Sequence, residues 1–96
     1  MVYQIEIPKG VREEDLPKLE KSGINFQILD KQFKKIKANP YICSVSKSGD
    51  LGDCRAVNWG NGYRIVFKIM EKDKKVIIVS IDKHDDAYRK AKKRRS

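Results

Sequence analysis

Hydrophobic and polar positions along this chain alternate first and then adopt helical spacing. From Val2 to Ile7, Tyr3, Ile5 and Ile7 fall on one side and Val2, Gln4 and Glu6 on the other. That period of two predicts an opening edge strand with one apolar face, ended by Pro8 and Gly10. Asp15 stands before Leu16-Pro17 as a capping acid ahead of a first-turn proline, and Leu16 and Leu19 predict a short helix that stops at Gly23. From Asn25, Phe26, Leu29, Phe33 and Ile36 recur at spacings of three and four, the stripe of a second helix. Its opposite face carries Lys31, Lys34, Lys35 and Lys37, and it is expected to end before Asn39-Pro40, where proline pushes its predecessor out of the helical region.

Ser44, Ser46, Ser48, Gly49 and Gly52 make residues 40–53 mostly loop, with a short extended piece at Tyr41 to Val45. Cys54 to Trp59 and the run from Tyr63 then flank Gly60-Asn61-Gly62, and Asn-Gly is a strong hairpin signal because both positions tolerate positive φ. With Asn61-Gly62 as a two-residue turn, Trp59 pairs with Arg64, Val57 with Val66 and Arg55 with Lys68. Arg55, Trp59, Arg64 and Lys68 then share one face, and Tyr63, Ile65, Phe67 and Ile69 face the helices. A one-residue slip inverts the assignment. Val76 to Ile81 is apolar on both faces, as an interior strand is. Asp85 and Asp86 followed by Lys90, Lys92, Lys93, Arg94 and Arg95 suit a helix macrodipole, with helix expected through about Lys92.

At 96 residues and 40% hydrophobic content, a single domain spanning residues 1–96 with one core is expected. The formal charge of +9 adds a polyanion or an acidic protein as partner. No apolar run approaches bilayer length, and the N-terminal residues lack a basic region followed by an apolar one, so the expectation is a cytoplasmic chain with no membrane partner. Cys43 and Cys54 are expected as reduced thiols, and two cysteines with a single histidine at this spread build no metal site. No cofactor is expected.

The order is strand, helix, helix, three antiparallel strands, short helix. Together with Asp15-Leu16-Pro17-Lys18-Leu19, the Asn39-Pro40 helix end, Gly52-Asp53-Cys54-Arg55, Gly62-Tyr63-Arg64-Ile65-Val66-Phe67 and Lys83-His84-Asp85-Asp86-Ala87-Tyr88, it resembles the RelE/ParE superfamily of toxins. The resemblance implies an α+β, RelE-like fold, β-α-α-β-β-β with a short C-terminal helix, its antiparallel sheet packed on a helical hairpin. It also implies a type II toxin that cleaves mRNA on the ribosome and is silenced by a cognate antitoxin. Such an endoribonuclease makes a ribose 2′-OH attack the adjacent phosphate, which takes a group to orient or deprotonate the hydroxyl, cations for the phosphorane and a donor for the leaving 5′-oxygen.

By that resemblance the catalytic candidates are Arg64, His84, Tyr88 and Lys83. Arg64 matches the family's Tyr-Arg strand arginine, a bidentate phosphate clamp, and Tyr88 the tyrosine of the last helix. Lys83 and His84 stand where relatives carry basic residues, and imidazole exchanges protons readily near neutral pH. Arg55, Trp59 and Lys68 are the candidates for binding substrate. The chain departs from the pattern at Ala56 and Asn58, where ribonucleases of the family carry strand lysines; members acting on DNA gyrase lack that basic set. The alternatives are therefore a ParE-type gyrase inhibitor and a non-catalytic module that binds RNA or an antitoxin. Plainer readings stand beside each residue: Arg64 stacked on Trp59, His84 as a helix cap, Tyr88 packed on the sheet, Trp59 in the core, and the basic C-terminal run as a solvated tail.

Overall fold

The computed structural model describes residues 2–47 and 49–95; Ser48 of the expected loop and the side chain of Arg95 in the basic run lie outside it. Strand β1 (Gln4–Glu6) leads into a π-helical stretch, Val11–Asp15, that continues as α1 (Leu16–Lys21). Helix α2 (Phe26–Ala38) begins at Asn25, whose side chain accepts from the Gln27 N–H at 2.9 Å, and it ends at Asn39 as the proline rule requires. A two-residue strand β2 (Val45–Ser46) then precedes β3 (Arg55–Trp59), β4 (Tyr63–Met70) and β5 (Lys75–Lys83), and α3 (His84–Arg95) closes the chain.

The architecture is the expected α+β. Its five strands run in the order β1-β5-β4-β3-β2, and β3, β4 and β5 are antiparallel as expected. The sheet as a whole is mixed, because β1 lies parallel to β5, with Gln4 opposite Lys75 and Glu6 opposite Ile77. Parallel neighbours need a long crossover, which the intervening helices and strands supply.

The β3–β4 register corrects the expected one. Trp59 pairs with Tyr63, Asn58 with Arg64, Val57 with Ile65, Ala56 with Val66 and Arg55 with Phe67. The loop has three residues, with Gly60 at φ +56° and Gly62 at φ +84°, so two glycines absorb the reversal where Asn61-Gly62 alone was expected. That one-residue slip places Arg55, Val57 and Trp59 on the face of Tyr63, Ile65 and Phe67, and leaves Asn58, Arg64 and Lys68 on the other.

Each face has its own core. Val57, Trp59, Tyr63, Ile65 and Phe67 pack with Val11, Leu19, Leu29 and Ile36 of the first two helices. Ala56, Val66 and Val79 pack with Leu51, Cys54 and the Ala87 and Ala91 face of α3. A bulge in β5 serves both: Val66 faces Ser80 while Phe67 faces Ile78, which makes Val79 the extra residue. Val79 and Ser80 therefore both turn toward α3, where the Ser80 hydroxyl donates to the Ala87 carbonyl at 2.6 Å.

Asp15, expected as a helix cap, instead lies within the continuous first helix and is fully buried. Its Oδ2 accepts from the Ile81 N–H at 2.7 Å and its Oδ1 from Lys90 at 3.0 Å and Arg94 at 2.8 Å. Arg94 also donates to the Val79 carbonyl at 2.7 Å. These bonds carry α3 through to Arg95, past the expected end at Lys92, and turn two members of the supposed tail into anchors.

Candidate functional site

Arg64 is the second residue of β4, opposite Asn58 on β3 and Asp82 on β5. Strand alternation puts it on the α3 side with Val66. Its Nη1 donates to the Tyr63 carbonyl at 2.9 Å, and it makes no ion pair among the described residues. Asp82, although directly across, has its carboxylate occupied: Oδ2 accepts from Lys18 and Lys90, both at 2.9 Å, and Oδ1 from the Lys83 N–H at 2.7 Å. Burial pushes the Asp82 carboxyl up, but these hydrogen bonds outweigh it and hold the group below its ordinary value. Asp82 thus stays an anion neutralised by two lysines, and the Arg64 guanidinium retains donors for another acceptor.

The start of α3 is tied to the β3–β4 turn by the His84 N–H, which donates to the Gly62 carbonyl at 3.0 Å. Asp85 and Asp86 in its first turn suit the positive end of the helix dipole. The His84 Nδ1 lies 2.8 Å from Asp85 Oδ1, so a proton on Nδ1 is held by the carboxylate and Nε2 presents the lone pair. One turn on, Tyr88 meets the His84 ring edge-on, centroids 4.9 Å apart and planes at 87°. The Tyr88 ring is partly buried against the second core, and the Lys47 ammonium lies 4.7 Å from its centroid. Arg64, His84 and Tyr88 thus share the side of the sheet covered by α3, at the end of the β3–β4 turn.

The other sequence candidates fall elsewhere. Lys83 pairs with Tyr63, a register position on the opposite face from Arg64. Lys68 shares the Arg64 face but stands four residues along β4, about 13 Å at strand rise, and pairs with Asp53 at 3.3 Å. Arg55 braces the 41–44 turn: its Nε donates to Ser44 Oγ at 2.7 Å and its Nη2 to the Tyr41 and Ser44 carbonyls, with the guanidinium 5.3 Å from the Tyr41 ring. Trp59 is only 4% exposed, and its ring packs 5.1 Å from Tyr63 in the first core. The expected face of Arg55, Trp59, Arg64 and Lys68 is therefore divided between the two sides of the sheet, Arg64 cannot stack on Trp59, and the buried indole offers no surface to a base. Lys47 was missed from sequence because it sits in a serine- and glycine-rich stretch with no periodicity to aim its side chain.

Residues 14–88 match the family model described as the ParE toxin of a type II toxin–antitoxin system, parDE. The chain belongs to that family. As a ParE-family toxin, and so a member of the RelE/ParE superfamily, it also shares its fold with solved structures of low sequence identity. A free-state mutant of the Escherichia coli toxin RelE superposes with a TM-score of 0.69 at 20% identity, over 98% of each chain. The toxin–antitoxin complex RelBE2 of Mycobacterium tuberculosis gives 0.66 at 16% identity, over 88% of this chain and 100% of that one. A conserved hypothetical protein of Helicobacter pylori gives 0.60 at 18% identity, over 88% and 97%. No curated protein sequence matches the toxin. Among the described residues no helix is long and apolar enough to cross a membrane.

Proposed function

We propose that this toxin is an endoribonuclease that cuts mRNA on the ribosome in the cytoplasm and is held inactive by a cognate antitoxin. The observation that carries the reading is the state of Arg64, a guanidinium that among the described residues is bound only to its neighbour's carbonyl, on the face shared with His84 and Tyr88. In the proposed reaction Arg64 grips the scissile phosphate through paired N–H donors and stabilises the charge that builds as the 2′-oxygen attacks. His84 Nε2 takes the 2′-OH proton, with Asp85 holding the ring, the 5′-oxygen takes a proton from water as its bond to phosphorus breaks, and the Tyr88 ring positions the ribose or its base. Lys83 stands on the opposite face of the strand end and is assigned no step.

A gyrase-directed toxin is the second reading. Ala56 and Asn58 on β3 favour it, as does the match to a ParE model.

For the antitoxin, the proposed seat is the groove of about 470 Å³ between the first helix and α2, lined by Leu16, Pro17, Phe26, Leu29 and Phe33. An apolar segment of the partner buries there, with acidic groups meeting the lysine face of α2.

The deciding experiment maps 5′ ends of a reporter mRNA after induced expression of the native chain and of Arg64→Ala. Cuts in the coding region that fall by about 100-fold in the variant are expected. Growth arrest with intact mRNA would transfer the case to gyrase.

A further inference from the structure

The ribonuclease reading lacks a cation on the Arg64 face of β3. That reading assigns the Arg64 face one guanidinium, one imidazole and one phenol, while the β3 positions beside them are Ala56 and Asn58. One arginine is little for a phosphorane whose charge exceeds that of the phosphodiester. Most cations near this face are already neutralised. Lys18 and Lys90 are bound to Asp82, Lys90 and Arg94 to Asp15, Lys68 to Asp53 and Arg89 to Asp86.

Lys47 is not among them. Its backbone N–H donates to the Cys54 carbonyl at 3.0 Å, which prolongs the β2–β3 pairing by a step and fixes where the side chain leaves the backbone. Its ammonium lies over the ring of Tyr88 and makes no ion pair among the described residues. An aromatic face is a weak seat for a lysine and one that it leaves readily for an anion.

We infer that Lys47 is a substrate-contacting residue of the nuclease site, resting on the Tyr88 ring in the free toxin and moving to a backbone phosphate of the bound RNA. The move has two effects. It delivers a positive charge to the side of the site where β3 has none, and it clears a face of Tyr88 on which a base can stack. The missing strand lysines are thus replaced in space by a residue from the segment after β2. The inference rests on the ribonuclease reading of the preceding subsection.

The test is cleavage of a defined mRNA on programmed ribosomes by the purified native toxin, Lys47→Met, Lys47→Gln, Lys47→Arg and a control, Lys72→Met, in the exposed turn between β4 and β5. Lys47→Met and Lys47→Gln are expected to cut about tenfold or more slowly, with Lys47→Arg recovering most of the native rate and Lys72→Met cutting as the native chain does. Matching urea midpoints for native and Lys47→Met separate this loss from unfolding. Equal rates for native and Lys47→Met, or an Arg variant as slow as the Met variant, would overturn the Lys47 assignment alone. A native toxin that cuts nothing would overturn the ribonuclease reading and this inference with it.

Discussion

Glu71, in the short turn between β4 and β5, collects hydrogen bonds from three parts of the chain that sequence analysis left unconnected. Its carboxylate accepts from Tyr3 OH at 2.8 Å, from Tyr41 OH at 2.6 Å and from Lys74 Nζ. The Lys74 and tyrosine donors hold the Glu71 carboxyl at about 2, against an ordinary 4.5. The folded value is the lower one, so the stability it contributes is complete above about pH 4.5 and is lost as pH falls from there through about 2. The urea midpoint of Glu71→Gln should lie below that of the native chain at neutral pH, and the two should converge toward pH 2. A gap that does not change with pH would refute the account. The two tyrosine partners were not legible beforehand, because hydrogen bonds spanning 68 and 30 positions leave no periodic trace in the chain. The same limit applies at the candidate site: ordered motifs singled out Arg64, His84 and Tyr88, and nothing in the sequence singled out Lys47.

Among the elements, the first helix and α3 depend on each other through charge. The apolar face of α3 is little more than Ala87, Tyr88 and Ala91, too small to anchor twelve residues by burial alone. Asp15 supplies the rest by receiving Lys90 and Arg94 in a fully buried position. Asp15→Asn leaves both cations short of their counter-charge, and a loss of about 3 kcal/mol in urea unfolding is expected, with amide exchange rising first in α3. A loss under about 1 kcal/mol would mean that the cluster is effectively solvated. The elements were largely visible in advance, since α2, β4 and β5 follow from apolar spacing and from proline. The β3–β4 register was not, because a Gly-Asn-Gly loop admits reversals of two or three residues and local sequence does not choose between them. The choice is made by Trp59 and Tyr63, two large rings that are buried together only in the observed pairing.

At the scale of the whole molecule, the sheet separates two kinds of surface. One side, beneath α3, holds the cations and rings proposed to meet RNA. The other side is covered by the helical hairpin, whose outer groove leaves Phe26 39% exposed among apolar neighbours. A partner that buries an apolar segment there should be sensitive to Phe26→Asp: co-expression with the cognate antitoxin is expected to rescue growth with the native toxin and to fail with the variant. Equal rescue would place the antitoxin on another surface. Separate seats of this kind would let an antitoxin bind without first competing for the RNA site. The Asp15 and Arg94 clasp has a consequence beyond holding α3. Past Ile77 the outer edge of β5 has no strand beside it among the described residues, and the Ile81 N–H and Val79 carbonyl are the pair that the next residue of a parallel neighbour would bond. A carboxylate and a guanidinium fill those positions, so the edge is closed to a strand from another copy. The toxin is thereby protected against fibres growing from an open sheet.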